Sequence, residues 1–110
     1  MKKATYLGEF EYAVLLAVLH LRDTAYAVPV REVIEERTGR AVARGALYTA
    51  LERLEVKGLV SSTLSDATAE RAGRPRRYFT LTPTGMAALR TTHAALRNMS
   101  TGLESVLEQR

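Results

Sequence analysis

Six residues within one ten-residue stretch, Arg44, Gly45, Tyr48, Thr49, Glu52 and Arg53, have the types and spacing to read a nucleic acid. At 100° per residue, a helix sets Gly45, Thr49, Glu52 and Arg53 on one side, flanked by Tyr48 and Arg44, and puts Leu47, Ala50, Leu51 and Leu54 on the other. Arginine donates bidentately to guanine O6 and N7 or to a phosphate, the threonine methyl suits thymine, and glycine lets the backbone approach closely. A solvated helix face, with Tyr48 packed against a neighbouring hairpin, is the plain alternative. A second group, Arg71, Arg74, Arg76 and Arg77, falls within seven residues without an intervening acid and suits phosphate contact.

Catalysis has little to build on. His20 and His93 lie in separate predicted helices, and neither a G-x-S-x-G nor a G-x-x-x-x-G-K-[ST] motif occurs. With no cysteine and no His/Asp/Glu cluster at ligand spacing, neither an enzyme, a metal site nor a cofactor is expected. Glu35 and Glu36, like Glu9 and Glu11, read as solvated helix positions. The longest apolar run, Tyr12 to Leu19, is well short of the roughly 20 residues of a membrane span. Glu9 and Glu11 precede it where a signal peptide would be basic. A cytoplasmic protein with no membrane partner is the expectation.

The elements that would position these residues fit one domain of 110 residues, 46% hydrophobic and 25% charged, as in ordinary globular chains. The net charge of +4 is unevenly placed. Arg37 to Arg77 carry nine basic and four acidic residues, the remainder seven and eight, so the excess lies where the candidate contacts lie. Glu9 to Arg22 is apolar on nearly every side and predicts a buried helix. A short second helix has Pro29 in its first turn and ends after Thr38 at Gly39. A third runs from about Arg44 to Lys57 and stops at Gly58. Leu59 to Ser65 and Arg77 to Leu81 predict a hairpin, with Val60 and Leu64 sharing one face and Phe79 and Leu81 another. Its tip is polar, basic and expected to be mobile. Thr82 and Pro83 open a last helix running nearly to the C-terminus, where the Asn98–Gly102 stretch favours a bend or fraying.

The expected fold is therefore mainly α with a small β-hairpin (α+β), a winged helix-turn-helix with a long C-terminal helix. Residues 1–82 form the DNA-binding part and residues 83–110 the dimerisation helix of the same structural unit. Met86, Leu89, His93, Leu96, Ser100, Leu103 and Leu107 repeat at 3-4 spacing along that helix, which implies a partner helix. The plain alternative is an intramolecular core stripe.

The segments LGEFEYAVLLAVL, ARGALYTALERLEVKGLV and RPRRYFTLTPTG together resemble the PadR family of bacterial transcriptional regulators, in its short, winged-helix form, over about residues 7 to 90. The resemblance implies a repressor that binds a palindromic double-stranded DNA operator as a homodimer formed largely through the first and last helices. It places Arg44, Gly45, Tyr48, Thr49 and Arg53 in the recognition segment, and Arg74, Arg76 and Arg77 in the wing. Phe10, Leu89, His93, Leu96, Leu103 and Leu107 are the corresponding dimer candidates. Ala27 stands where a glycine commonly follows the tyrosine, Ala43 where a serine commonly opens the recognition helix, and Leu96 where relatives often carry tryptophan. A ligand stacked on tryptophan is not expected, and a small-molecule effector is left open, with no residue assigned to it. A winged helix serving as a protein-interaction module without DNA binding is the competing reading, and a small nucleic-acid-processing enzyme a third.

Overall fold

The computed structural model describes residues 5–65 and 75–109. The elements run α1 (Glu9–Leu21), a short 3-10 turn (Arg22–Thr24), α2 (Ala27–Thr38), α3 (Arg44–Val56), β1 (Val60–Leu64), β2 (Arg77–Leu81), α4 (Pro83–Ser100) and α5 (Glu104–Leu107). This is the expected winged helix-turn-helix order. Helix α1 is its centre, packing against α2, α3, α4 and β2. It buries Val14, Leu15, Ala17 and Val18, with Phe10, Leu16 and Leu21 half-buried; Leu19 is exposed, so the helix is not covered on every side.

Backbone chemistry places the helix ends. Gly39 closes α2 in the left-handed region at φ 73°, its N–H donating to the Glu35 carbonyl at 2.9 Å. Gly58 takes φ 77° immediately after α3. Helix α2 starts at Ala27, which leaves Pro29 in its first turn, where a missing N–H costs no helix bond. The last helix does open with a Thr82 cap, whose Oγ1 accepts the Gly85 N–H at 3.0 Å.

Two expectations are corrected. The strands pair antiparallel with Val60 opposite Leu81, Ser62 opposite Phe79 and Leu64 opposite Arg77. Opposed residues point to the same side, so Val60, Leu64, Phe79 and Leu81 share one face rather than two. That face runs from buried Val60 and Phe79 to exposed Leu64, as the strands leave the core. The last helix breaks within the Asn98–Gly102 stretch where a bend or fraying is expected, but it breaks fully, into two helices. Helix α4 stops at Ser100, where the Arg97 carbonyl takes both the Thr101 N–H at 2.9 Å and the Thr101 hydroxyl at 2.7 Å. Gly102 then turns the chain at φ 95°. The 3-4 stripe is therefore continuous only from Met86 to Ser100, and Leu107 belongs to a separate short helix of which Leu103 is the N-cap.

Among the described glycines, Gly85 is the one with no room for a side chain: it is buried in α4 against the backbone of Leu59. A Cβ added at Gly85 would lie 1.9 Å from the Leu59 carbonyl oxygen, whereas one added at Gly45 on α3 meets nothing within 4 Å. Backbone cannot step aside as a flexible side chain can. Gly85→Ala should therefore destabilise the fold by about 3 kcal/mol. Gly45→Ala should stabilise it by about 0.5–1 kcal/mol through helix propensity alone. Chemical denaturation of the two variants beside the wild type measures both, and a Gly85→Ala midpoint equal to wild type would refute the packing argument.

Candidate nucleic-acid interface

Helix α3 divides as its sequence requires. Leu47, Ala50, Leu51 and Leu54 are buried, and Arg44, Gly45, Tyr48, Thr49, Glu52 and Arg53 are all exposed on the opposite side. Tyr48, at 51% exposure, borders the cleft between α3 and the wing, beside Leu51, Glu52, Glu55, Arg77 and Phe79. Gly45, Thr49 and Arg53 line a separate groove against the start of α1. The polar face is thus continuous across the helix surface.

The start of α3 is held from outside. Ala43 is its N-cap, in extended conformation, and makes no side-chain cap bond. The preceding residue does the work: the Val42 N–H donates to Glu35 Oε2 at 2.9 Å, while the Val42 side chain is buried in the core beside Leu47. Val42 and Leu47 occupy the positions of a hydrophobic staple. The Glu35 bond crosses the turn between α2 and α3, and no local motif announces it. The carboxylate also lies 3.6 Å from Arg31 Nε, so Arg31 and Arg44 flank one cleft between α2 and α3. Arg31 is a basic group on this surface that the sequence pattern, with Glu35 four residues on, presents merely as a helix salt bridge.

Neighbouring charges sort the basic residues. Arg40 pairs with Glu9, and Lys57 Nζ lies 2.7 Å from Glu11 Oε2, so both bind the recognition unit to the start of α1. Arg44 and Arg53 form no ion pair among the described residues. On the wing, Arg77 Nη1 donates to Ser62 Oγ at 2.7 Å, and that hydroxyl donates to Glu55 Oε2 at 2.6 Å, linking β2 through β1 to α3. The Arg76 guanidinium sits 3.9 Å from the Tyr26 ring centroid. Tyr78 beside it, chiefly through a hydrogen bond, holds this guanidinium above its ordinary pKa. Arg71 and Arg74 lie outside the described residues.

The dimer candidates are dispersed. Leu89 is 4% exposed in this chain's own core and is set aside from any surface role. Phe10 is half-buried, with the Arg40 guanidinium 5.4 Å from its ring centroid. His93 is exposed, its Nδ1 3.1 Å from the Tyr12 hydroxyl, whereas His20 is exposed at the end of α1. Leu96, Leu103 and Leu107 are 53%, 49% and 64% exposed. Among the described residues there is no group of three His, Cys, Asp or Glu placed to hold a metal ion, and no helix long and apolar enough to cross a membrane.

A helix-turn-helix, an antiparallel wing and an exposed polar third helix with free arginines define a winged-helix protein of the DNA-binding class. Residues 15–91 match the model of the Transcriptional regulator PadR-like family, and the chain belongs to that family. It is similar in structure to a PadR family transcriptional regulator from Eggerthella lenta DSM 2243, at 27% identity and TM-score 0.67 over 88% of this chain and 82% of that one. A PadR-like transcription factor from Bacteroides fragilis matches at 27% identity and TM-score 0.71, over 88% of each chain. A PadR family regulator from Clostridium difficile R20291 matches at 27% identity and TM-score 0.68, over 87% of this chain and 98% of that one. None of the curated proteins matches. The chain is accordingly a PadR-family transcriptional regulator with a winged-helix DNA-binding fold.

The uncapped start of α3 yields a test. Serine at position 43 would accept an N–H bond that alanine cannot, so Ala43→Ser should raise stability by about 1 kcal/mol. The chemical-denaturation midpoint should rise. A midpoint that stays put would mean that the Glu35–Val42 bond already fixes the helix start.

Proposed function

We propose that this protein is a cytoplasmic repressor that binds a palindromic operator as a homodimer. Residues 1–82 engage the duplex and residues 83–110 engage the second copy. Helix α3 enters the major groove with Arg44, Gly45, Tyr48, Thr49 and Arg53 toward the bases and their flanking phosphates, and the wing, bearing Arg74 and Arg77, lies along the adjacent backbone. One observation carries this reading: nearby Arg40 and Lys57 are neutralised by Glu9 and Glu11, while Arg44 and Arg53 on the exposed face of α3 have no ionic partner among the described residues.

Selection of duplexes from a random pool by the purified protein tests it. An enriched palindrome supports the reading, and no enrichment with no salt-dependent affinity would favour a protein-interaction module. On the selected operator, log affinity should fall with log salt at about −0.9 per phosphate neutralised. Arg53→Ala and Thr49→Ala should each cost about 1–3 kcal/mol and relax preference at particular base pairs. Uniform weakening across all sequences would reassign these two residues to backbone contact.

The second copy has a surface to meet. Beyond Thr92, helix α4 has no buried residue, and α5 is exposed throughout, leaving Leu96, Met99, Leu103, Val106 and Leu107 open in the single chain. Apolar patches of this kind are usually covered in soluble proteins. Leu96→Glu should produce a monomer, because it would place an unpaired carboxylate in the contact. Asn98→Glu adds the same charge 200° around the helix and should leave the dimer intact. A two-fold dimer sets its half-sites about 34 Å apart. The Leu96→Glu monomer should therefore lose specific binding to the palindrome but keep weak, salt-sensitive binding to any duplex. Sedimentation equilibrium and DNA titration on the same samples decide it; a dimeric Leu96→Glu protein would refute this surface.

A further inference from the structure

The sequence groups Arg76 with the phosphate-contacting wing arginines, but its guanidinium has aromatic neighbours. Its guanidinium lies over Tyr26, 3.9 Å from the ring centroid, and Tyr78 adjoins that ring. The two tyrosines meet edge to face, with centroids 5.6 Å apart and planes at 70°. Backbone bonds hold all three residues in register. The Ser65 N–H donates to the Arg76 carbonyl at 2.8 Å, the Arg76 N–H to Ser65 Oγ at 3.3 Å, and the Phe79 N–H to the Ala25 carbonyl at 2.8 Å. Tyr26 is the N-cap residue of α2, and its carbonyl accepts the Val30 N–H at 3.2 Å. The cluster therefore joins β2 to the first turn of α2, the helix that the Glu35–Val42 bond couples to α3.

We propose that Arg76 is a positioning residue: held by Tyr26 and Tyr78, it fixes the angle of the wing on α2 and so the line along which the wing meets the duplex. The inference rests on the DNA-binding reading above. Arg77, through Ser62 and Glu55, ties the same wing to α3, so the hairpin is held to both helices of the helix-turn-helix. A cation over an aromatic face is attracted by the ring quadrupole, and arginine stacks there in a way a compact ammonium does not. A stacked guanidinium still has N–H edges, so geometry alone leaves phosphate contact open to it. The number of counterions released distinguishes the two roles.

The experiment is a salt titration of affinity for the selected operator, using wild type, Arg76→Met, Tyr26→Leu, Tyr26→Phe and Arg76→Met/Tyr26→Leu. Arg76→Met keeps bulk and removes charge. It should weaken binding about fivefold, as expected for one exposed cation–aromatic contact, with the salt slope unchanged. A phosphate contact would instead make the slope shallower by about 0.9. Tyr26→Leu should reproduce the loss, Tyr26→Phe should retain wild-type affinity because the ring remains, and the double variant should be no weaker than the weaker single one. Hydroxyl-radical protection under the wing should weaken or spread in Arg76→Met while protection under α3 persists. A shallower slope, or additive losses in the double variant, overturns the clamp while leaving the DNA-binding reading standing. A wild-type protein without salt-dependent duplex affinity overturns both. Thermal melting of each variant verifies that the comparison is made between folded proteins, and Arg76→Met with Tyr26→Phe, both conservative in volume, carry the test if Tyr26→Leu unfolds.

Discussion

The carbonyl of Leu59 is the point on which the arrangement of the wing depends. It accepts the Thr82 N–H at 3.1 Å, and Gly85 of α4 is packed directly against it. One residue earlier, the Gly58 carbonyl accepts the Thr82 hydroxyl at 2.6 Å, while that same oxygen caps α4 through the Gly85 N–H. The exit of α3, the entry of β1 and the entry of α4 are thus fixed within a few ångströms by backbone groups and one hydroxyl. Because backbone geometry is stiff, this junction sets where α4 departs and where the wing leaves α3. Gly85 is required there for space, whereas Gly58 beside it takes a positive φ.

Around that junction, electrostatics divide the basic residues between structure and surface. Arg40 and Lys57 lie at opposite ends of the recognition unit and reach Glu9 and Glu11 in the first turn of α1. Exposed pairs of this kind add little stability, so orientation is the more fitting role for them. They fix α3 at its two ends against the most buried helix in the chain. The arginines between them remain directed outward, which separates residues that orient the helix from residues available to a polyanion. Net charge alone cannot make that separation, since all four contribute equally to the basic segment.

What the sequence made legible is what local chemistry specifies. Gly39, Gly58, Thr82 and Pro83 mark their helix ends through φ preference, a missing N–H or a hydroxyl at cap spacing, and each stands at the end it announces. The apolar stripe of α3 fixed which side of that helix faces outward. Contacts between distant residues were not legible. Periodicity within a strand tells which residues alternate, but only the register unites Val60 with Leu81 on one face. The bonds joining Glu35 to Val42, Ser62 to Glu55 and Arg76 to Tyr26 depend on how elements meet in space, and no spacing rule anticipates them.

The end of α4 shows how a regular pattern and local propensity can oppose each other. The 3-4 stripe from Met86 runs through Leu107, which favours one long helix, but Ser100, Thr101 and Gly102 offer hydroxyls and a flexible backbone that compete for helix carbonyls. The competition is decided locally: the Thr101 hydroxyl takes the Arg97 carbonyl, Gly102 turns at φ 95°, and the Glu104 carboxylate accepts the Gly102 N–H at 3.0 Å. Among the described residues, none buries this segment to hold a continuous helix against those bonds. The apolar side chains on either side of the turn consequently form two adjoining surfaces, one on α4 and one on α5, and a second copy would have to cover both. Such a corner constrains a partner more than a straight seam does, because sliding along α4 would lift the contact off α5.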